Sequence, residues 1–354
     1  MSMKIAMILP SLANQGPVIV ARDIIRNIKD PELNFEVFYF DELLELEFDC
    51  PTTRIAFSSP INFDAFDIIH SHMLRPDAYI WRYRKQIKYA RCMSTLHQDI
   101  FQNLKASYNA VIAGVFTKLW LLMLRRQDAI VTLSETMASM YRSALKGKHL
   151  ETIYNGRDQR SFAPQPVDAE DVECIALLKR SYKLIGSLAL LTKRKGLHQM
   201  IKALPLLPEF AFMVVGDGKE MFNLKKLATE QNVADRCLFI GYRADAYRYL
   251  PDLDYFLMAS YSEGFPLGLL EAAQYKLPLI CTDIPLFREL FSETEVSFFK
   301  PDDTQALVQA VNHAVVHKDV LATKASEKVK REYNIERMAE RYLLCYHRLI
   351  KHND

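Results

Sequence analysis

Two carboxylates, Glu263 and Glu271, stand in the run SYSEGFPLGLLEAAQYKLPLICTD at residues 260–283, directly after an apolar strand candidate, Tyr255–Ala259. Seven residues separate them, and Gly264 and Gly268, two of only eleven glycines in the chain, fall between. Pro266 is of a type favoured in a first helical turn, so a helix is expected there, with Glu271 about two turns in. The N-terminus of such a helix offers unpaired amides and the positive end of the helix dipole, which suits a diphosphate or sugar hydroxyls. A carboxylate farther along can accept hydrogen bonds from vicinal hydroxyls, as on a ribose.

Other chemistry-bearing residues are fewer. His97 follows the strand candidate Cys92–Leu96. His70 and His72 are expected on opposite faces of their strand, so that only one of them faces a ligand. His313 and His317 have a helical spacing that suits a metal, but no third ligand is evident, and a surface helix pair is preferred. VGDG at 215–218 reads as a strand-to-helix turn, since it lacks the full phosphate-loop pattern. No Gly-x-Gly-x-x-Gly follows any strand, which counts against a dinucleotide oxidoreductase.

The elements that must position these residues alternate. Strand candidates are Lys4–Pro10, Glu36–Phe40, Asp67–His72, Cys92–Leu96, Ala129–Leu133 and Thr152–Tyr154, then Leu184–Leu190, Ala211–Val215, Cys237–Gly241, Tyr255–Ala259, Leu279–Thr282 and Ser297–Phe299. Helical patterns such as Met200–Leu207, Lys219–Gln231 and Asp303–His317 lie between strands. Apolar strands alternating with helices imply parallel sheets covered on both faces. Two such series predict two Rossmann-like domains, 1–163 and 174–333, with ligands in a cleft at the carboxyl ends of the strands. The Pro- and acid-rich stretch at 164–173 is the expected linker. Asn334–Lys351 carries apolar residues on one helical face.

At this point the chain resembles a family. Glu-Gly-Phe-x5-Glu-Ala after a strand, followed by Leu-Pro-x-Ile, is similar to the retaining nucleotide-sugar glycosyltransferases of family 4, which have the GT-B fold. PSLANQG, DIIHSH, STLH, IVTLSE, IYNGRDQRSF, KRKG, VVGDGKE and FIGYRAD stand in the matching order along nearly the whole chain. The resemblance implies that the terminal segment, 334–354, crosses back to the N-terminal domain. It implies that Lys195 neutralises the donor diphosphate and Glu271 binds the donor ribose. Glu263, Gly264, Phe265, Pro266 and Leu267 match the loop that holds the donor sugar. His97 matches the histidine facing the reacting sugar, so His97 and Glu263 are the expected catalytic residues. Gly16 matches the first-loop glycine near the phosphates, and Tyr242 and Arg243 the loop that contacts the base. Ser187 stands where the family often has an arginine, with Lys193 or Arg194 as candidate replacements. The first loop carries one glycine instead of two, and IPLFREL replaces an expected Gly-Gly after Asp283.

Lys+Arg is 45 and Asp+Glu 43 in 354 residues, a net charge of +2 that gives no global reason to bind nucleic acid. Half the residues are hydrophobic, an ordinary globular share that excludes a disordered or low-complexity chain. The six cysteines form no Cys-x-x-Cys pair and read as thiols in a reducing compartment. The N-terminus runs straight into an apolar strand without a signal-peptide pattern, and Val111–Leu124, interrupted by Lys118, is too short to span a bilayer. A cytoplasmic protein is therefore expected, with contact at the inner face of the membrane. Between His70 and Lys148, thirteen Lys/Arg stand against four acids, a local charge of +9. Arg82, Arg84, Lys85 and Lys88 interleave with aromatics, and Trp120 with Arg125 and Arg126 follows in the apolar run. These suit an anionic membrane surface or a phosphate-bearing acceptor. The acid run Asp41–Asp49 is expected as a surface loop or helix.

The resulting expectation is transfer of a hexose or N-acetylhexosamine, with retention, from a nucleotide diphosphate sugar, UDP before GDP, to a lipid-linked or surface glycan of lipopolysaccharide, O-antigen or capsule. No metal or other cofactor is expected. The alternatives are a noncatalytic nucleotide-sugar-binding paralogue and an epimerase or phosphorylase of the same architecture.

Overall fold

The computed structural model describes residues 2–105, 108–157 and 166–351. They form two units, one made of Met1–Gly156 and Asn334–Asp354, the other of Arg157–Tyr333. The division falls at Gly156, ahead of the stretch read as linker. Ala169–Glu173 of that stretch opens a helix, Ala169–Lys179, with Asp168 at its cap position, while 164 and 165 lie outside the described residues.

The first unit is built on β1 (Met3–Leu12), β2 (Leu33–Leu44), β3 (Thr52–Arg54), β4 (Ile68–His72), β5 (Arg91–Leu96), β6 (Ala129–Thr132) and β7 (His149–Thr152). Their order is β3-β2-β1-β4-β5-β6-β7, with every pairing parallel. β1 and β4 are buried almost throughout, as a sheet covered on both faces requires. Two details differ from expectation. β3 is a short exposed edge strand with too few apolar residues to signal itself. The first part of the acid run, Asp41–Leu44, continues β2. Arg75 pairs with Asp41, Arg54 with Glu42 and Arg26 with Asp49.

The helix Ile335–Lys351 belongs to this unit. Ile335, Met338, Ala339, Tyr342, Cys345, Tyr346 and Leu349 are its buried face, and it packs against the helix Gly16–Asn27. Gly156 and Asn334, where the chain leaves and re-enters the unit, lie side by side. A Cβ on Gly156 would stand 2.0 Å from the Asn334 carbonyl oxygen, so only glycine fits.

The second unit holds β8 (Lys183–Leu188), β9 (Phe210–Val215), β10 (Cys237–Gly241), β11 (Tyr255–Met258), β12 (Leu279–Thr282) and β13 (Val296–Phe299). The order is β10-β9-β8-β11-β12-β13, again all parallel. In both sheets the strand order reverses beside the first strand, between β1 and β4 and between β8 and β11. Loops leaving the carboxyl ends of those strands diverge and leave room for a ligand.

Candidate active site

The switch point of the second sheet gathers the charged residues. The turn after β8 carries Arg194 and Lys195, and the loop after β11 carries Glu263. Lys195 Nζ donates to Glu263 Oε1 at 2.6 Å and Arg194 Nη1 to Oε2 at 3.1 Å. The Ser260 hydroxyl also donates to Oε1, at 2.5 Å. The Glu263 side chain is only 7% exposed. Burial opposes its ionisation. The two cations and the hydrogen bonds from Lys195 and Ser260 outweigh burial and hold the carboxyl below its usual range.

Backbone contacts lock the two loops together. The Tyr261 amide donates to the Arg194 carbonyl, Arg194 also donates to the Ser262 carbonyl, and Gln199 reaches the Ala259 carbonyl. Gly196 makes this closeness possible. Its φ is +62°, and a Cβ there would stand 2.1 Å from the Ala259 oxygen.

Beyond Glu263, Gly264 and Phe265 lead to Pro266, which caps the helix Leu267–Gln274 from outside instead of sitting in its first turn. No side chain caps that helix. Glu271 is one turn in, not two. Its Oε1 accepts from Nε (2.9 Å) and Nη2 (2.7 Å) of Arg157, whose side chain is 5% exposed. The Arg157 carbonyl in turn accepts from Gln274 Nε2, 2.5 Å away, so the same helix holds both ends of the residue. Arg157 is not among the residues that sequence pattern singles out. It lies in IYNGRDQRSF, 114 residues from Glu271, and nothing local signals the pairing.

The first unit collects histidines at the ends of β4 and β5. His72 Nδ1 and His97 Nε2 are 2.7 Å apart and the rings stack at 4.9 Å. His70 Nδ1 meets the Tyr346 hydroxyl at 2.9 Å and its Nε2 meets the Thr95 hydroxyl at 2.8 Å. His70 and His72 share one face, with ring centroids 4.3 Å apart. The expectation of opposite faces is corrected, because strand side chains repeat every second residue. Burial pushes His70 and His97 down to about 3, and His72 well below its usual value, so all three are neutral at pH 7.

Residues 174–332 match the family of glycosyl transferases group 1, and residues 38–160 match glycosyltransferase family 4. The O-antigen biosynthesis glycosyltransferase WclY of Escherichia coli is 30% identical over 366 aligned residues, 99% of each chain. The chain belongs to the glycosyl transferases group 1 family. Its fold is GT-B. Sucrose-phosphate synthase from Thermosynechococcus elongatus superposes with a TM-score of 0.83 at 17% identity, over 99% of this chain and 100% of that one. Anabaena HepE, in complex with UDP and glucose, gives 0.80 at 18% identity, over 97% and 99%.

Against this glycosyltransferase frame several expected contacts move. Ser187 is 2% exposed and donates to the Leu257 carbonyl, so it ties β8 to β11 and does not face a ligand. Arg243 is held by Asp171, Asp168 and the Tyr249 hydroxyl, which makes it a strut of the second unit. Tyr242 beside it, directly after β10, is 56% exposed. Gly16 is the first residue of the helix Gly16–Asn27, followed by Pro17.

The basic face divides. Trp120 is 2% exposed and its Nε1 donates to Asp77, also buried, so it is a core residue. Arg84 is half-buried and pairs with Asp128. Arg125 donates from Nε to the Ala144 carbonyl. Arg82, Lys85, Lys88, Arg125 and Arg126 are exposed. His313 bonds Ser297 through Nδ1, and among the described residues no cluster joins the His313–His317 pair into a metal site.

Arg157→Met tests the newly found pair. It leaves Glu271 without its buried counter-charge and should cost on the order of 3–5 kcal/mol of stability. Guanidinium unfolding measures this, and an unchanged midpoint would show that the pair does not hold the helix.

Proposed function

We propose that this glycosyltransferase moves a hexose or N-acetylhexosamine from a UDP-sugar to a lipid-linked or surface glycan of the O-antigen, lipopolysaccharide or capsule kind. The transfer retains the anomeric configuration and needs no metal. The observation that carries this reading is the buried Glu263 carboxylate gripping Arg194 and Lys195 at the switch point of the second sheet. Two cations against one carboxylate leave a surplus positive charge where a departing diphosphate would develop negative charge. Fixed charges of this kind stabilise a transition state without reorganising.

In this reading Glu271 accepts the ribose hydroxyls, Gly264–Leu267 line the sugar, and Tyr242 meets the base. His97 of the first unit meets the reacting sugar. The naming of WclY as an O-antigen enzyme and the UDP and glucose of HepE support the substrate class.

The test is incubation with UDP-glucose, UDP-galactose, their N-acetylated forms and GDP-mannose, each with undecaprenyl-diphosphate-linked saccharides, with and without EDTA. An α-linked product from an α-donor, equally fast in EDTA, is expected. Inversion or EDTA sensitivity would overturn the corresponding part. Free epimerised sugar or sugar phosphate in place of a new glycosidic bond would overturn the whole.

A membrane-facing role for the first unit rests on the helix Ala110–Leu124. Val111, Ile112, Val115, Phe116, Leu119 and Leu122 are each at least 40% exposed on it. So many adjacent apolar side chains in water mark an interaction surface. Exposed Lys118, Arg125 and Arg126 on and beyond the helix suit anionic headgroups. No described helix is long and apolar enough to cross a membrane, so contact would be peripheral. Phe116→Glu with Leu119→Glu should lower co-sedimentation with phosphatidylglycerol vesicles about tenfold or more. Equal sedimentation would sink the membrane assignment.

A further inference from the structure

The His72–His97 pair contains one proton between two nitrogens 2.7 Å apart, so one ring donates and the other accepts. The far nitrogen of His72, Nε2, is buried with no hydrogen-bond partner among the described residues. The two possible arrangements are therefore not equivalent. If His97 donated, His72 would carry its proton on Nε2 and leave a buried N–H orphaned. If His72 donates, Nε2 is a bare lone pair. Orphaned buried donors are rarer in folded proteins than under-satisfied acceptors. The second arrangement therefore prevails.

The surroundings prevent His72 from turning to escape the choice. Its ring is sandwiched between those of His70, at 4.3 Å, and His97, at 4.9 Å. His70 is held from both sides, by Tyr346 on the terminal helix and by Thr95, which is itself 3.2 Å from the Tyr342 hydroxyl. Directly after His72 the backbone takes an unusual path, with φ of +80° at Met73, a non-glycine residue in strained conformation.

We infer that His72 is a positioning residue that fixes the tautomer of His97, placing the His97 proton on Nδ1, the nitrogen away from His72. His97 then offers a neutral N–H donor to an oxygen acceptor, such as a hydroxyl or ring oxygen of a sugar. It is neither a cation nor a base toward that group. This deepens the proposed role of His97 and rests on that role only for its consequence in turnover.

The tautomer is read directly from two-bond nitrogen–proton correlation spectra of histidine-labelled full-length protein at pH 7. Both His72 and His97 should show the Nδ1–H pattern, the minor form of free imidazole. In His72→Phe, His97 should revert to Nε2–H, and kcat should fall on the order of tenfold to a hundredfold with KM for the donor unchanged. His72→Asn, whose amide nitrogen can replace Nδ1, should restore the Nδ1–H form and most of kcat. An Nε2–H pattern for His97 in the wild type overturns the inference, as does an unchanged pattern in His72→Phe. If the tautomers are as stated but His97→Ala turns over normally, the positioning stands and the proposed role of His97 falls.

Discussion

Lowering the pH from 7 to 5 should destabilise the protein by several kcal/mol, with three histidines carrying most of the cost. Burial holds the folded-state pKa of His70 and His97 at about 3 and that of His72 well below its ordinary value. The unfolded chain binds protons at these sites near pH 6.5, whereas the folded chain does not. Stability is therefore full above ~6.5 and falls as the pH drops through the window from ~6.5 to ~3. Each fully buried site loses about 1.4 kcal/mol per pH unit in that window, or about 2 kcal/mol by pH 5. His97 is partly open to solvent, so its share is smaller.

Asp77 works in the opposite sense. Burial, partly offset by hydrogen bonds from Ser71 and Trp120, pushes its carboxyl up to about 6. The folded state then holds a proton the unfolded state has lost, and stability rises slightly as the pH falls below ~6. One group gaining against three losing leaves a net loss on the order of 3–5 kcal/mol, a large part of typical stabilities. Guanidinium unfolding at pH 7 and pH 5 measures it, with His70→Gln expected to flatten the dependence by about one histidine. Equal midpoints at the two pH values would show that the cluster is not held neutral.

The second large effect is expected at Glu263. Replacing it with alanine should abolish turnover and cost about 2–4 kcal/mol of stability. Breaking a buried ion pair from one side costs ~3–5 kcal/mol, because the surviving partner is left without its counter-charge. Here Arg194 is 25% exposed and Lys195 16%, so water recovers part of that loss. The Ser260 hydroxyl, buried against the same carboxylate, also loses its acceptor.

Lys195→Ala should behave differently. It leaves Glu263 paired with Arg194, changes stability less, and weakens UDP binding by ~1–3 kcal/mol through the lost hydrogen-bonding cation. Denaturation and UDP titration of both variants separate structural from ligand-facing roles. Wild-type stability and turnover in Glu263→Ala would remove the residue from the site and the surplus-charge argument with it.

How much of this was legible beforehand depends on the range of the interaction. The strand Tyr255–Met258 and the glutamates after it announce themselves within some twenty residues of sequence, since apolar runs and a helix start are local signals. The same holds for the terminal helix, whose buried face follows the helical period. The edge strand Thr52–Arg54 has neither length nor apolar content and gave no such signal. Composition places Trp120 on an exposed basic, aromatic face because it does not say which side of an apolar helix meets the sheet. The buried Asp77 carboxylate turns it inward.

By itself, then, the sequence determined the alternation of strands and helices, two Rossmann-like domains, and Glu263 and Glu271 as candidates, while the GT-B class and Lys195 came from the resemblance of its motifs to a family. The former depend on propensity and periodicity, which act between near neighbours. Only the tertiary structure decided which charges pair. Glu263 meets Lys195 across 68 residues because β8 and β11 are neighbours in the sheet, and Glu271 meets Arg157 across 114 because Gln274 of the same helix holds the Arg157 backbone. It also decided that three histidines share one neutral, buried cluster. Burial disfavours their charged forms, and Tyr346, on a helix 276 residues away, holds His70 in the cluster.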